Sequence, residues 1–251
     1  LALALAALVA CVTVEETNRK RLAPMPDSYM NAMGLKAYDE LLKTEKISTD
    51  KAMTAKVLDL GKRLAKATGA SFDWAFSLFD NKEANAFCLP GGKVGVYTGI
   101  IPIAKTNAAL AAVLGHEIGH AIARHSGERM SEALLVEGIM FTVDEAMHDS
   151  NRKRLVMGAL GLGAQFGVLL PYSRVHESEA DQLGLIYMAK AGYDPREAIE
   201  LWHRMAKLGG TPPEILSTHP DPESRAKALQ EQLPKALQVY EQSQKVPTAN
   251  L

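Results

Sequence analysis

The segment that most constrains this chain is an alanine-rich run, residues 107–124, that carries His116, Glu117 and His120. Alanine favours a helix, and residues four apart lie on one helix face, so the two histidines can direct imidazole nitrogens to one metal ion. Glu117 lies beside them, roughly 100° further round the helix. A structural zinc site needs ligands and no base, whereas a hydrolytic site keeps a position for water and needs a carboxylate beside it. The run therefore predicts a helix with a hydrolytic zinc site.

A third ligand decides the type of site. One option is a further histidine in the same segment, in the pattern His-Glu-x-x-His-x-x-Gly-x-x-His, but Ala123 and Ser126 occupy the last two required positions. His125 is one residue away from that pattern and projects to another side of the helix. We expect His125 to be a solvated histidine near the helix end. The third ligand must therefore come from elsewhere in the chain.

A second predicted helix offers carboxylates for this role. Ser173 is a suitable N-cap, and apolar residues continue at helical spacing until Gly192. Glu177 and Asp181 share a face, so one can bind the metal while the other accepts a hydrogen bond from the far nitrogen of a ligand histidine. We assign Glu177 to the metal and Asp181 to the histidine, and we expect Glu179 to belong to a solvated acidic face. The alternative is that all three carboxylates form an ordinary acidic surface.

Together these motifs resemble metallopeptidase family forty-eight, the zinc endopeptidases related to the CAAX prenyl protease and the bacterial heat-shock membrane protease. The likeness spans most of residues 85–225. The segments that carry it are His116-Glu117-x-x-His120, Ser173-Arg174-x-x-Glu177-x-x-Ala180-Asp181, Asn85-Ala86-Phe87-Cys88-Leu89-Pro90-Gly91-Gly92, and Ser217-Thr218-His219-Pro220-Asp221-Pro222 with Arg225. The resemblance implies an α+β, zincin-like fold, mostly α-helical, with a small, largely antiparallel sheet next to the motif helix.

The motifs and the resemblance predict one Zn²⁺ per chain, bound by His116, His120 and Glu177 with water in the fourth position. Glu117 would remove the proton of that water. His219 has two candidate roles, either stabilising the oxyanion or occupying the open position in a latent form. The alternative for His219 is a turn histidine of purely structural use.

The predicted function is a metalloendopeptidase. By resemblance, its substrates are misfolded or misassembled proteins of the periplasm and outer membrane, although the sequence itself indicates only an extended polypeptide. The alternative function is a periplasmic chaperone or assembly factor that keeps the zinc fold as a binding platform. Glu117 argues against this alternative, because a platform has no need of a base beside the metal.

Composition limits the remaining possibilities. With 251 residues, of which 47% are apolar and 23% charged, the chain has enough apolar residues for a sizeable core, and we expect one protease domain over residues 27–251. The net charge of −1 and the pI near 6.7 give no electrostatic argument for nucleic-acid binding.

The N-terminal region predicts export. Residues 1–10 form an apolar run that is too short to span a bilayer but has the length of a signal-peptide core, and the precursor start is expected to be missing. With Cys11, the run ends in Leu8-Val9-Ala10-Cys11, which resembles a bacterial lipoprotein box whose cysteine is acylated. Val12 after the cysteine resembles the default for outer-membrane lipoproteins. A simple cleaved signal or a buried apolar strand are the alternatives.

The polar residues 12–26 predict a tether between the membrane and the domain. Cys88 is then the other cysteine in an oxidising compartment, and we expect it to be buried and inert.

Two amphipathic helices are predicted at residues 27–46 and 49–67, the second closed by Gly69. A period of two then predicts strands, at residues 72–78, 85–89 and 93–97. In the resembling family the last strand lies along the cleft as an edge, to which a peptide can add as a further strand. The alternative is a plain hairpin.

Gly127 is expected to break the chain before a helix at residues 130–147. Residues 155–170 are the most apolar internal stretch. They are shorter than a membrane span and predict a core helix or an apolar cover over the cleft. Two further helices are expected to begin at Asp194 and Asp221.

Overall fold

Helices dominate the fold. The computed structural model describes residues 11–14, 17–22, 25–137, 143–160, 162, 173–207, 215, 219 and 222–251. In this part of the chain the helices are α1 (Asp27–Thr44), α2 (Lys51–Thr68), α3 (Ile101–Ala104), α4 (Asn107–Ala123), α5 (His125–Glu137), α6 (Val143–His148), α7 (Ser150–Ala159), α8 (Arg174–Lys190), α9 (Arg196–Ala206) and α10 (Pro222–Glu241). The strands are β1 (Cys11–Val14), β2 (Arg19–Leu22), β3 (Ala75–Phe79), β4 (Ala86–Leu89) and β5 (Lys93–Tyr97). The predicted α+β, mostly helical class is confirmed.

Local sequence signals account for the ends of several helices. The side chain of Asp50 accepts a hydrogen bond from the backbone N–H of Met53 (2.9 Å) and so caps the start of α2. Gly69 ends α2 in the left-handed conformation (φ 72°), as the sequence predicts. The helices α9 and α10 likewise begin next to their predicted starts.

The three-stranded sheet has the order β3-β5-β4, with β5 parallel to β3 and antiparallel to β4. The expectation that the last strand is an edge is therefore wrong. Val94, Val96 and Tyr97 of β5 are fully buried, which suits a central strand covered on both faces. The edge strand that packs against α4 is β4.

The first two strands form an antiparallel pair over residues 11–22, most of which lie in the range 12–26 that the composition predicts to be a tether. Arg19 of β2 forms ion pairs with Glu128 of α5 and Glu179 of α8. This part of the chain is therefore paired and contacts the helical body. Of the predicted signal remnant, residues 1–11, only Cys11 is among the described residues.

The helices α4 and α8 cross in close contact. A Cβ atom added to Gly184 of α8 would lie 2.7 Å from the carbonyl carbon of Gly115 and 2.7 Å from the backbone nitrogen of His116. A Cβ atom on Gly119 would lie 2.8 Å from the carbonyl oxygen of Ala180. The glycines therefore allow the two backbones to meet, and this contact brings the two motif segments together.

The chain turns at Arg124, directly after α4. Arg124 adopts the left-handed conformation (φ 60°), and its backbone N–H donates to the carbonyl of Ala121. Its guanidinium forms an ion pair with Asp27 (2.5 Å). The expected break at Gly127 is wrong, because this residue lies inside α5.

The predicted helix at residues 130–147 corresponds to α5 and α6. Residues 138–142, between these two helices, lie outside the described part of the chain. Within the apolar stretch 155–170, the structure describes residues 155–160 and 162. Buried members of that part pack in one core with α1, namely Val156, Met157, Ala159, Leu160 and Leu162. The remainder of the predicted cover lies outside the described residues. Among the described helices, none has the length and hydropathy of a membrane span.

Candidate active site

Two imidazoles come from the C-terminal half of α4. Thr106 caps the helix by accepting a hydrogen bond from the backbone N–H of Ala109 (3.1 Å). The side chains of His116 and His120 are buried one turn apart, with their Nε2 atoms 3.0 Å from each other. Burial lowers the pKa of His120 well below its usual value, and the neighbouring His116 lowers it further. His120 is therefore neutral, which is the form that binds a metal.

The carboxylate of Glu177 comes from the first turn of α8. The hydroxyl of Ser173 accepts from the backbone N–H of His176 (3.2 Å) and so caps this helix as predicted. Glu177 Oε1 lies 3.3 Å from His120 Nε2. Burial raises the pKa of Glu177, but the charges of His219 and Arg225 outweigh burial, and the pKa lies well below its usual value. Glu177 is therefore ionised.

His219 joins this cluster from the segment before α10. Its Nδ1 lies 2.8 Å from Glu177 Oε1 and 3.2 Å from His116 Nε2. Donor atoms of His116, His120, Glu177 and His219 all lie within 4.8 Å of one another. The structure thus brings the three predicted metal ligands and the candidate His219 to one point.

The spacing of these donor atoms suits zinc. Tetrahedral zinc binds nitrogen and oxygen at about 2.0–2.1 Å, which places neighbouring ligand atoms about 3.3–3.4 Å apart. Successive donor atoms in the cluster are 3.0 Å apart for His116 and His120, 3.3 Å for His120 and Glu177, 2.8 Å for Glu177 and His219, and 3.2 Å for His219 and His116. Imidazole and carboxylate are also the ligand types of hydrolytic zinc sites.

Glu117 lies beside the cluster without belonging to it. Its Oε1 atom is buried and has no hydrogen-bond partner within the described residues, and His219 Nε2 is 3.5 Å away. Burial raises the pKa of Glu117, and the opposing charges of His219 and His116 only partly offset this effect. A carboxylate with a raised pKa and an oxygen that accepts no hydrogen bond is suited to accept a proton.

A buried ion network lies behind His116. Asp181 Oδ1 is 3.0 Å from His116 Nδ1, the nitrogen that faces away from the cluster. Arg225 of α10 contacts Asp181 through Nε (2.8 Å) and Nη2 (2.5 Å), and Glu177 Oε2 through Nη1 (2.9 Å). The guanidinium also stacks on Trp202, 3.6 Å from the ring centre.

The expectations that His125 and Glu179 are solvated are wrong. His125 is not solvated: its side chain is fully buried, with Nδ1 2.8 Å from His120 Nδ1. Glu179 is also buried, and its Oε2 is 2.9 Å from His125 Nε2. The turn at Arg124 directs His125 back toward His120, a path that continuous helix geometry does not give. Burial lowers the pKa of His125 to about 4 against the opposing hydrogen bond to Glu179, so the ring is neutral.

The family of this chain follows from its match to a known sequence profile. The profile of peptidase family M48 covers residues 51–233, which include all four donor residues and Glu117. The chain belongs to peptidase family M48. The resemblance drawn from the motifs is thereby confirmed.

Relatives of this M48 chain occur in mitochondria and bacteria. The mitochondrial metalloendopeptidase OMA1 of Schizosaccharomyces pombe is 34% identical over 227 residues, which are 88% of this chain and 66% of the relative. OMA1 of Saccharomyces cerevisiae is 39% identical over 182 residues, 68% of this chain and 50% of the relative. The beta-barrel assembly-enhancing protease of Escherichia coli is 30% identical over 185 residues, 70% of this chain and 38% of the relative. The chain thus spans 38% to 66% of the length of these relatives.

Zinc is the metal of the M48 peptidases, and the donor set of this M48 chain fits it. The predicted cofactor is therefore confirmed. The sequence predicted no part in the site for Arg225, His125 or Glu179. Arg225 belongs to one of the motifs shared with the resembling family, so the sequence did contain a reason to consider it. The contacts of His125 depend on the turn at Arg124, which the sequence pattern does not predict.

Proposed function

We propose that this M48 chain is a zinc-dependent endopeptidase that hydrolyses peptide bonds of exported proteins in quality control. The observation that carries the proposal is the position of Glu117. This glutamate directly follows His116 in the chain, lies against the donor cluster, and keeps one buried oxygen without a hydrogen-bond partner among the described residues. A zinc site that only stabilises the fold has no use for such a group.

In the proposed mechanism, His116, His120 and Glu177 would hold the zinc ion. Zinc held there would supply Lewis-acid chemistry, lowering the pKa of a water molecule and polarising a carbonyl. Glu117 Oε1 accepts the proton of the attacking water and then delivers it to the leaving amine nitrogen. Burial raises the pKa of Glu117, so its carboxylate accepts a proton more readily and can carry it between the two steps.

Asp181 has the role of orienting His116. A histidine that binds metal through Nε2 carries its proton on Nδ1. Of the two groups beside that atom, Asp181 Oδ1 (3.0 Å) can accept the proton, whereas Arg225 Nη2 (2.8 Å) is a donor. Arg225 keeps the Asp181 carboxylate in place and compensates its charge. The pKa of Asp181 is accordingly lowered: burial raises it, and Arg225 outweighs burial.

For His219 the donor spacing favours the latent role over the oxyanion role. Its Nδ1 is the fourth of four clustered donor atoms, so with zinc bound the imidazole would fill the position that water needs. The backbone N–H of Ile215 also donates to the carbonyl of Ala84 (3.4 Å), next to the edge strand β4. The carbonyl of Ile215 accepts from the backbone N–H of His219 (2.9 Å), so Ile215 connects His219 to one end of the edge to which an extended substrate would add. A His219→Ala variant with faster cleavage supports latency, and one with slower cleavage supports the oxyanion role.

We propose a periplasmic location with a lipid anchor on Cys11. The apolar residues before Cys11 and their likeness to a lipoprotein box support this proposal. The named function of the Escherichia coli relative, enhancement of beta-barrel assembly, supports outer-membrane proteins as substrates. Cys11→Ala tests the anchor: the full precursor should move from the membrane to the soluble fraction of bacterial cells, and an unchanged membrane fraction would refute acylation at this residue.

The test of the catalytic proposal is Glu117→Gln assayed on unfolded casein. Loss of the base should slow cleavage by roughly 100- to 10,000-fold, since general bases contribute about that factor. The zinc content should not change, because Glu117 is not a ligand. The matched control is Glu231→Gln on the exposed side of α10, which should cleave like the wild type.

Two outcomes would contradict the catalytic proposal. Cleavage by Glu117→Gln at the wild-type rate would remove Glu117 as the base. Absence of cleavage by both the wild type and His219→Ala, with suppression of casein aggregation retained, would favour the alternative of a chaperone built on a latent protease fold.

A further inference from the structure

A second group of buried polar side chains lies on the far side of His120 from the donor cluster. His125 Nδ1 is 2.8 Å from His120 Nδ1, and His125 Nε2 is 2.9 Å from Glu179 Oε2. Both His125 and Glu179 are nearly inaccessible to solvent. Buried polar groups of this kind are costly unless each is hydrogen-bonded, so the order of donors and acceptors along them is constrained.

The protons along this path have one consistent arrangement when His120 binds a metal. Ligation through Nε2 leaves the His120 proton on Nδ1, which must then donate to His125. His125 Nδ1 accepts, so the neutral His125 ring carries its own proton on Nε2 and donates it to Glu179. Each ring contributes one proton, and no donor faces another donor. The opposite arrangement would put the His120 proton on the nitrogen that faces the metal ligands.

The far end of the path is fixed by the N-terminal strand pair. Arg19 Nε donates to Glu179 Oε2 (2.5 Å), and the hydroxyl of Thr17 donates to Glu179 Oε1. The same guanidinium donates to both oxygens of Glu128 (2.5 and 2.9 Å). Burial raises the pKa of Glu179, but its hydrogen bonds from His125, Thr17 and Arg19 outweigh burial, so the carboxylate stays ionised.

A metal ion is the rival occupant of this region, since donor atoms of His125, Glu128 and His176 lie close to one another. Two contacts argue against it. Arg19 already pairs with both oxygens of Glu128, and a cation there would have to displace the guanidinium. Both nitrogens of His125 lie at hydrogen-bond distance from other groups.

We propose that His125 and Glu179, held by Arg19, are positioning residues that fix the tautomer and orientation of His120. The proposal rests on the proposed role of His120 as a zinc ligand. It has the consequence that strand β2, which the sequence assigns to a tether, influences how tightly the metal is bound. Hydrogen-bonding partners of metal-binding histidines typically change metal affinity by 10- to 100-fold.

The experiment measures the zinc dissociation constant by competition with a chromophoric chelator. Glu179→Gln should raise it by roughly 10- to 100-fold. Arg19→Gln should raise it less, because Glu179 keeps its bonds to His125 and Thr17, and Arg19→Lys should restore part of the loss. The control is Arg196→Gln, which removes an exposed ion pair with Asp194 and should leave the constant unchanged.

A second readout separates positioning from general loss of structure. In the cobalt-substituted protein, the visible ligand-field bands should shift in Glu179→Gln and stay unchanged in the Arg196 control. Circular dichroism and thermal unfolding of the metal-free variants report whether they fold. If Glu179→Gln does not fold, the zinc affinity of Arg19→Gln tests the proposal instead. Arg19 lies nearer the surface, with 21% of its side chain exposed, so its substitution should disturb folding less.

The results that would contradict the positioning proposal differ from those that would contradict the proposed function. If the wild type binds one zinc ion and the folded variants keep its zinc affinity and cobalt spectrum, the positioning proposal is overturned and the proposed function is not. A second zinc ion lost in Glu128→Gln would overturn it as well, because His125 would then be a ligand. A wild type that binds no zinc would instead refute the proposed function.

Discussion

Replacing Gly184 by alanine tests the helix crossing on which the whole site depends. The added Cβ atom would lie 2.7 Å from two backbone atoms of α4, those of Gly115 and His116, whereas carbon atoms in contact normally lie about 3.5–4.0 Å apart. Backbone atoms cannot rotate away as a side chain can. The two helices must therefore separate by roughly 0.8–1.3 Å, the difference between those distances.

The expected change in stability has a definite sign. Helix propensity alone would make alanine more stable than glycine by about 1 kcal/mol. Overpacking costs about 1–3 kcal/mol, and a contact with backbone atoms that cannot rotate away belongs in the upper part of that range. After the gain in helix propensity is subtracted, we expect the free energy of unfolding of Gly184→Ala to be about 1–2 kcal/mol lower than that of the wild type. Zinc affinity should fall as well, because Glu177 on α8 would move away from His116 and His120 on α4. The control is Gly127→Ala, where the nearest atom to the new Cβ, on Met30, is 3.8 Å away.

The assay is urea unfolding of the metal-free protein together with zinc competition. Gly127→Ala should be at least as stable as the wild type, and Gly184→Ala should be less stable and bind zinc more weakly. A Gly184→Ala variant that is more stable than the wild type and binds zinc equally well would refute the close crossing of the two helices.

Three further predictions concern stability. Arg225→Ala leaves the buried carboxylates Asp181 and Glu177 without their cation and should cost roughly 3–5 kcal/mol in urea unfolding of the metal-free protein; a loss below 1 kcal/mol would contradict the network. His125 titrates near pH 4 in the folded protein and near 6.5 when unfolded, so it contributes stability above pH 6.5 that is lost as pH falls toward 4. That contribution is at most about 3 kcal/mol. Between pH 7 and pH 4, the free energy of unfolding of His125→Asn should therefore fall by about 3 kcal/mol less than that of the wild type. Asp50→Ala removes the cap of α2 and should cost about 1 kcal/mol with zinc affinity unchanged; a weaker affinity would link α2 to the site.

The part of the donor cluster that follows from spacing along a single helix could be predicted from the sequence. His116 and His120 lie one helical turn apart whatever the rest of the fold does. Glu177 and Asp181 share a helix face for the same reason. What the sequence could not supply is the distance between the two helices, which depends on Gly115 meeting Gly184 across the crossing.

The wrong expectations share a physical cause, because each depends on a long-range arrangement that local patterns do not encode. Alternation predicted the strands but not their order, so β5 was expected at an edge and lies at the centre. Helical periodicity gave His125 a solvated direction, whereas the left-handed Arg124 turns it into the interior. Glu179 is buried because Arg19, 160 positions earlier, forms an ion pair with it.

The most direct test is an anomalous-scattering map recorded at the zinc edge from crystals of the zinc-loaded protein. One strong peak should lie within bonding distance of His116 Nε2, His120 Nε2 and an oxygen of Glu177, at about 2.0–2.2 Å. A peak elsewhere, or one with Glu177 too distant to bind, would contradict the central claim that α4 and α8 jointly form the metal site.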